Sequence, residues 1–139
     1  MRILVVDDEP EVLNALQAVL EPEGHEVLAA IGGEAGIAAF RERSSPFDLV
    51  ITDLGMPQPD GRTVATAIKR ESPATAVILL SGWGRQILTS GEALPDVDLV
   101  LSKPPSVTAL RAALERFKPV ANLTRFTGRR QTCPTRSLP

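Results

Sequence analysis

The chain of 139 residues has one cysteine, Cys133, one histidine, His25, one tryptophan, Trp83, and no tyrosine. A lone cysteine excludes an internal disulfide and a cysteine-based zinc site, so the fold must rest on packing. A lone histidine leaves no imidazole cluster for a metal, and His25 lies far along the chain from the acids that matter below. It reads as a surface or structural residue. No run of 18 apolar residues occurs, and Met1 leads directly into an apolar strand pattern without a basic leader. A soluble, cytoplasmic chain without membrane contact is the expectation. A basic surface is missing too. Four arginines, Arg125, Arg129, Arg130 and Arg136, lie beyond residue 118 where no acid occurs, so the overall charge of −2 conceals a body at −6. That body is a poor nucleic-acid surface, and four dispersed arginines read as a solvated tail rather than a nucleic-acid arm.

What is present is enough for one ordinary domain, with 43% hydrophobic residues to build a core. Arg2-Ile3-Leu4-Val5-Val6 is an apolar run ended by Asp7-Asp8-Glu9-Pro10, which fits a buried strand followed by a helix start. Val12, Leu16, Val19 and Leu20 then recur at helical spacing, and Gly24 reads as a stop. Further strands are expected at 26–30, 48–52, 76–80 and 97–101. Helices are expected over about 34–44, from near Asp60 with Val64, Ala67 and Ile68 on one side, over Arg85–Glu92, and over 106–118. The alanines and glycines of the second helix suggest thin packing. In the last helix, Val107, Leu110, Leu114 and Phe117 form a core stripe that stops at Pro119. Five strands alternating with helices call for a parallel sheet covered on both faces, joined by right-handed crossovers. Residues 1–118 read as the domain and 119–139 as a tail or linker remnant.

The suspicious polar residues share one kind of position. Asp7 and Asp8 follow the first strand, Asp53 the third, Ser81 the fourth and Lys103 the fifth. In an open parallel sheet the crevice beyond the carboxyl ends of the strands is where ligands bind. Three carboxylates gathered there repel one another unless a cation compensates them. Magnesium suits an all-oxygen donor set and is commonly shared with phosphate. With such an ion, Asp53 can attack phosphorus and form an acyl phosphate. Lys103 would balance charge on the phosphoryl oxygens and Ser81 would donate a hydrogen bond. Gly55, Gly61 and Gly82 are expected to give room and backbone freedom around the site. Taken singly, Asp8 also fits a helix cap, Ser81 a turn and Lys103 a surface lysine. Their coincidence at four strand ends favours a site.

These residues resemble the receiver domain of two-component response regulators, the CheY-like superfamily. The likeness is carried by Ile3-Leu4-Val5-Val6-Asp7-Asp8-Glu9-Pro10, by Asp48-Leu49-Val50-Ile51-Thr52-Asp53-Leu54-Gly55-Met56-Pro57 with Asp60-Gly61, by Ser81, and by Lys103-Pro104. The resemblance covers residues 2–118. It implies a flavodoxin-like (βα)5 fold, doubly wound, with a five-stranded parallel sheet of order 2-1-3-4-5 and a cis bond before Pro104. It further implies that Asp53 takes phosphate from a sensor histidine kinase, a phosphotransfer protein or a small donor, while Asp7, Asp8, Asp53 and the Gly55 carbonyl hold Mg2+. Phosphorylation would draw in Ser81 and Lys103 and reshape the face of helix four, strand five and helix five toward a downstream protein target. Such a chain is a signalling switch that catalyses its own phosphorylation and dephosphorylation and is no ordinary enzyme. A homodimer through the same face is compatible with it.

One departure stands out. Where the family usually carries a switching Tyr or Phe, this chain has Val100, whose single stiff torsion cannot perform an aromatic flip. Trp83, beside Ser81, either takes over that role or is a packing residue. Ser81-Gly82-Trp83-Gly84 resembles receivers attached to hybrid kinases, so the chain fits both a stand-alone receiver and a piece of a larger protein. The competing readings are a degenerate receiver that only binds protein, an aspartyl-nucleophile phosphatase and a flavin protein. Gly55 stands where such phosphatases place a second acid, and the acidic first loop would repel a flavin phosphate.

Overall fold

The computed structural model describes residues 1–42, 46–82 and 96–118. The helix expected over Arg85–Glu92, Trp83 and the tail from residue 119 lie outside them. Ile3 to Val6 are buried on both sides and form β1 (Arg2–Asp7), which Pro10 ends by starting α1 (Pro10–Leu20). A single 3₁₀ turn (Glu21–Glu23) closes on Gly24, whose φ of 93° is a conformation that only glycine adopts without strain. The chain continues through β2 (Glu26–Ile31), α2 (Gly33–Arg41), β3 (Leu49–Asp53) and α3 (Gly61–Glu71). It ends, among the described residues, with β4 (Ala76–Ser81), β5 (Leu99–Ser102) and α4 (Val107–Arg116). Side-chain caps start two of the helices: Asp60 accepts from the Thr63 N–H and Ser106 from the Ala109 N–H.

The five strands are all parallel, in the order β2-β1-β3-β4-β5. Alternate strand residues serve opposite faces. Ile3, Val5, Ile51, Ile78 and Leu80 pack with Leu13 and Leu16 of α1 and with Leu110 and Leu114 of α4. Leu4, Val6, Val50 and Val77 pack on the other face with Phe40 of α2 and with Val64 and Ile68 of α3. The expected doubly wound architecture is therefore present, with helices covering both faces of the sheet.

Several details differ from expectation. All five strands end one residue later than expected, so that Asp7, Asp53 and Ser81 are the last members of the ladder rather than the first residues after it. β5 starts at Leu99 and not at 97, because the Asp98 carboxylate accepts from the Val77 N–H at 2.7 Å and pairs with Lys69 at 2.8 Å. The second helix is not thinly packed: a Cβ on buried Gly36 would meet Val6 Cγ2 at 2.7 Å, so the missing side chain is what lets α2 approach β1. Val107, expected in the core stripe, is exposed in the first turn of α4, one turn ahead of buried Leu110.

Candidate functional site

Strand register builds the site. Val6 pairs with Thr52, so Asp7 and Asp53 emerge side by side from the two central strands. Asp53 pairs in turn with Leu80 and Ser81 with Ser102, which brings the ends of β4 and β5 to the same edge. Asp7, Asp53 and Ser81 are buried and Asp8 is exposed. Asp7, Asp8 and Asp53 each offer a carboxylate oxygen within 4.8 Å of the others.

Lys103 enters this cluster from the end of β5, where its N–H donates to the Ser81 carbonyl at 3.0 Å and a cis peptide joins it to Pro104. Its ammonium lies 3.1 Å from Asp7 Oδ2, 3.2 Å from Asp53 Oδ1 and 3.3 Å from Glu9 Oε1. Burial works against that ammonium, but the two aspartates outweigh it and push the Lys103 pKa above the ordinary lysine value. Asp7 moves upward as well: burial raises its pKa and the Asp53 charge adds to this, against the Glu9 N–H and Lys103, which lower it.

The expected functions of individual residues can be set against their positions. Asp8 is not the helix cap that a local reading allowed, because Glu9 is the N-cap residue of α1 and makes no side-chain cap bond. Gly55 is exposed in the bent segment between β3 and α3, which contains a cis Gln58–Pro59 bond. The three glycines differ in kind. A Cβ on Gly61 would collide with the Asp53 carbonyl oxygen and lie 2.8 Å from Leu54 Cα and Leu79 Cδ1, whereas Gly55 and Gly82 would meet nothing within 4 Å. Val100 is half-buried in β5, next to Leu79 in the sheet. His25 lies at the opposite, amino-terminal edge, where its Nδ1 is 3.2 Å from the Met1 amine, remote from the acids. A hollow of about 450 Å³ opens at that edge between Glu23, Arg111 and Lys118. The reactive groups do not line it.

Glu9 is the residue of this cluster to which the sequence assigned no part. The only sequence signal was its place directly after the two aspartates.

The donor set fits a small hard cation. All the ligand atoms on offer are oxygens, and Asp7 Oδ2 is buried without a hydrogen-bond partner among the described residues, although it is ion-paired with Lys103. Asp7, Asp8, Glu9 and Asp53 against one lysine leave a formal charge of −3. A divalent cation offsets most of it.

Comparison with known proteins agrees with this fold. The model of the response regulator receiver domain matches residues 3–115. The sensor protein GacS of Pseudomonas syringae pv. syringae is 33% identical over 130 residues, which are 86% of this chain and 14% of GacS. The chain thus spans about a seventh of the length of that relative. A response regulator receiver domain protein from Clostridium thermocellum superposes with a TM-score of 0.74 at 32% identity, over 88% of this chain and 98% of that one. The response regulator TrrA of Thermotoga maritima, solved in complex with Mg(2+)-BeF, does so with a TM-score of 0.70 at 33% identity, over 84% and 97%.

Proposed function

The chain belongs to the response regulator receiver family, and from that premise we propose that Asp53 accepts a phosphoryl group in a magnesium-dependent reaction. The observation that carries the reading is the Lys103 ammonium set between Asp7 and Asp53, at 3.1 and 3.2 Å, beside a third carboxylate. A carboxylate oxygen of Asp53 attacks phosphorus as the bond from phosphorus to the donor breaks, and the electron pair leaves with the donor. The product is an acyl phosphate on Asp53. Asp7, Asp8, Asp53 and the Gly55 carbonyl would hold Mg2+, which when bound supplies charge neutralisation at the phosphoryl oxygens.

This chain's own residues do the rest. The phosphoryl group brings a charge of about −1.5 to −2 to a site that one cation serves, so Lys103 shifts from the Asp53 carboxylate toward the new oxygens. Ser81, at the end of the neighbouring strand, donates its hydroxyl there. Ser81 ends β4 and Lys103 follows β5, so the shift is passed to the β5 side of the sheet, and that side changes toward a downstream protein target. The change proceeds without an aromatic flip, because position 100 is valine. The donor is a sensor histidine kinase, a phosphotransfer protein or a small acyl phosphate, in the cytoplasm. We take residues 1–118 as the receiver unit and 119–139 as its tail, and we allow a homodimer through the changing face. No helix among the described residues is long and apolar enough to cross a membrane.

Intact-mass measurement after incubation with acetyl phosphate and Mg2+ tests the assignment. One added phosphoryl group is expected, lost on removal of Mg2+ and absent in Asp53→Ala. Labelling that persists in Asp53→Ala would overturn it.

A further inference from the structure

Lys103 has three N–H donors, and in the resting protein it has three acidic neighbours: Asp7, Asp53 and Glu9. A phosphoryl group on Asp53 draws the ammonium away from its resting contacts, and the neighbours that hold it there oppose the move. Asp7 is fully buried and its Oδ2 has no hydrogen bond to replace the Lys103 contact, and Asp53 carries the new group. Besides Asp53, Glu9 is the neighbour whose hold is weakest, since it is the most distant at 3.3 Å and its side chain is 59% exposed, so water can take the place of the ammonium.

Glu9 is nevertheless not a loose surface acid. Its N–H donates to Asp7 Oδ1 at 2.9 Å, and its carbonyl accepts from the Val12 and Leu13 N–H groups at 3.1 and 3.3 Å. Pro10 fixes the backbone on its other side. The backbone is held from both directions and the carboxylate is thereby aimed across the mouth of the site, to a residue 94 positions away.

We propose that Glu9 is a positioning residue for Lys103, holding the ammonium in the resting arrangement and thereby opposing its transfer to a phosphoryl group on Asp53. This rests on the phosphoacceptor reading given above. Glu9 stabilises only the resting state, so its removal favours the phosphorylated one. The expected size is that of a partly exposed ion pair, about a two- to fivefold change in an equilibrium ratio.

The experiment measures the ratio of phosphorylated to unphosphorylated protein at steady state with acetyl phosphate and Mg2+. Glu9→Gln is expected to raise it about two- to fivefold. Glu11→Gln, which removes a nearby exposed charge that does not contact Lys103, is expected to leave it unchanged. In a Lys103→Met background the Glu9→Gln effect should vanish. An equal rise with Glu11→Gln, or one that survives Lys103→Met, would mean a diffuse charge effect and would overturn the proposal. A second measurement needs no phosphate: the NMR order parameter of Lys103 Cε in metal-free protein should fall in Glu9→Gln and stay the same in Glu11→Gln. No fall refutes the positioning role. A wild-type chain that takes no phosphoryl group would sink the phosphoacceptor reading, while the order parameter still decides whether Glu9 steadies Lys103.

Discussion

Replacing Gly61 with alanine is expected to strain the fold at the place where Asp53, the proposed phosphoacceptor, is held. The new methyl would run into the Asp53 carbonyl oxygen and sit 2.8 Å from both Leu54 Cα and Leu79 Cδ1. Two of these obstacles are backbone, and Leu79 is fully buried, so no side chain can swing away. Either α3 lifts off the sheet, loosening Val64 and Ile68, or the end of β3 moves with Asp53 on it. Overpacking costs about 1–3 kcal/mol, and backbone obstacles place this case near 3. Exchanging Gly for Ala in a helix returns up to about 1 kcal/mol. The balance is a loss of about 2 kcal/mol, or roughly 8 °C in Tm for a domain of this size. Urea denaturation with Gly82→Ala as the partner variant isolates the steric effect, because a methyl there meets nothing within 4 Å and should stay within about 0.5 kcal/mol of wild type. Gly61→Ala should also take up phosphate from acetyl phosphate more slowly. A Gly61→Ala protein as stable as wild type, or a Gly82→Ala protein equally damaged, would refute the reasoning.

Two further outcomes follow from the charges. The pKa of Asp7 is raised in the folded protein by burial and by Asp53, so the fold binds its proton more readily than the unfolded chain does. Metal-free stability should therefore increase as pH falls through the raised Asp7 value toward the unfolded value of 3.8, and that increment should be missing from Asp7→Asn when urea midpoints of the two are compared; parallel curves would argue against it. Mg2+ affinity by calorimetry should weaken over the same range, since protons and metal compete for one carboxylate. Lys103, also raised, contributes stability that is present at neutral pH and lost as pH climbs above the ordinary lysine value of 10.5. Lys103→Met should cost metal-free protein about 3 kcal/mol by leaving buried Asp7 without its cation. Mg2+ should restore most of that, and a loss that magnesium leaves untouched would show that Lys103 acts through packing instead.

Much of the fold was legible because parallel strands covered on both faces are written as unbroken apolar runs, and Ile3–Val6, Leu49–Ile51 and Ala76–Leu80 are runs of that kind. Their ends were misjudged by one residue for a reason tied to function. A polar residue such as Asp53 ends the apolar pattern but not the hydrogen-bonded ladder, and an acid held by a ladder is fixed more firmly than one in a loop. Hydropathy reads side chains, while the ladder is made by the backbone. The second helix was misjudged for the opposite reason. Gly36 contributes no apolar surface to a pattern, yet its bare Cα is what admits Val6, and only the neighbouring strand reveals that use.

The site was legible to the extent that strand ends share one edge, which topology guarantees once the strands are parallel. How its charge is divided was not legible, because Lys103 and Glu9 meet across 94 residues and periodicity carries no information over that distance. That division decides the chemistry. If Lys103 served Asp53 alone, a lysine and an acid would form a closed pair and the remaining acids would be solvated caps. Spread over Asp7, Glu9 and Asp53, the same ammonium satisfies none of them fully, and Asp8 stands beside them within 4.8 Å of Asp7 and Asp53. A cluster so undersupplied with positive charge would attract a divalent cation, and on the proposed reading a phosphoryl group arriving at Asp53 gives the lysine a reason to move.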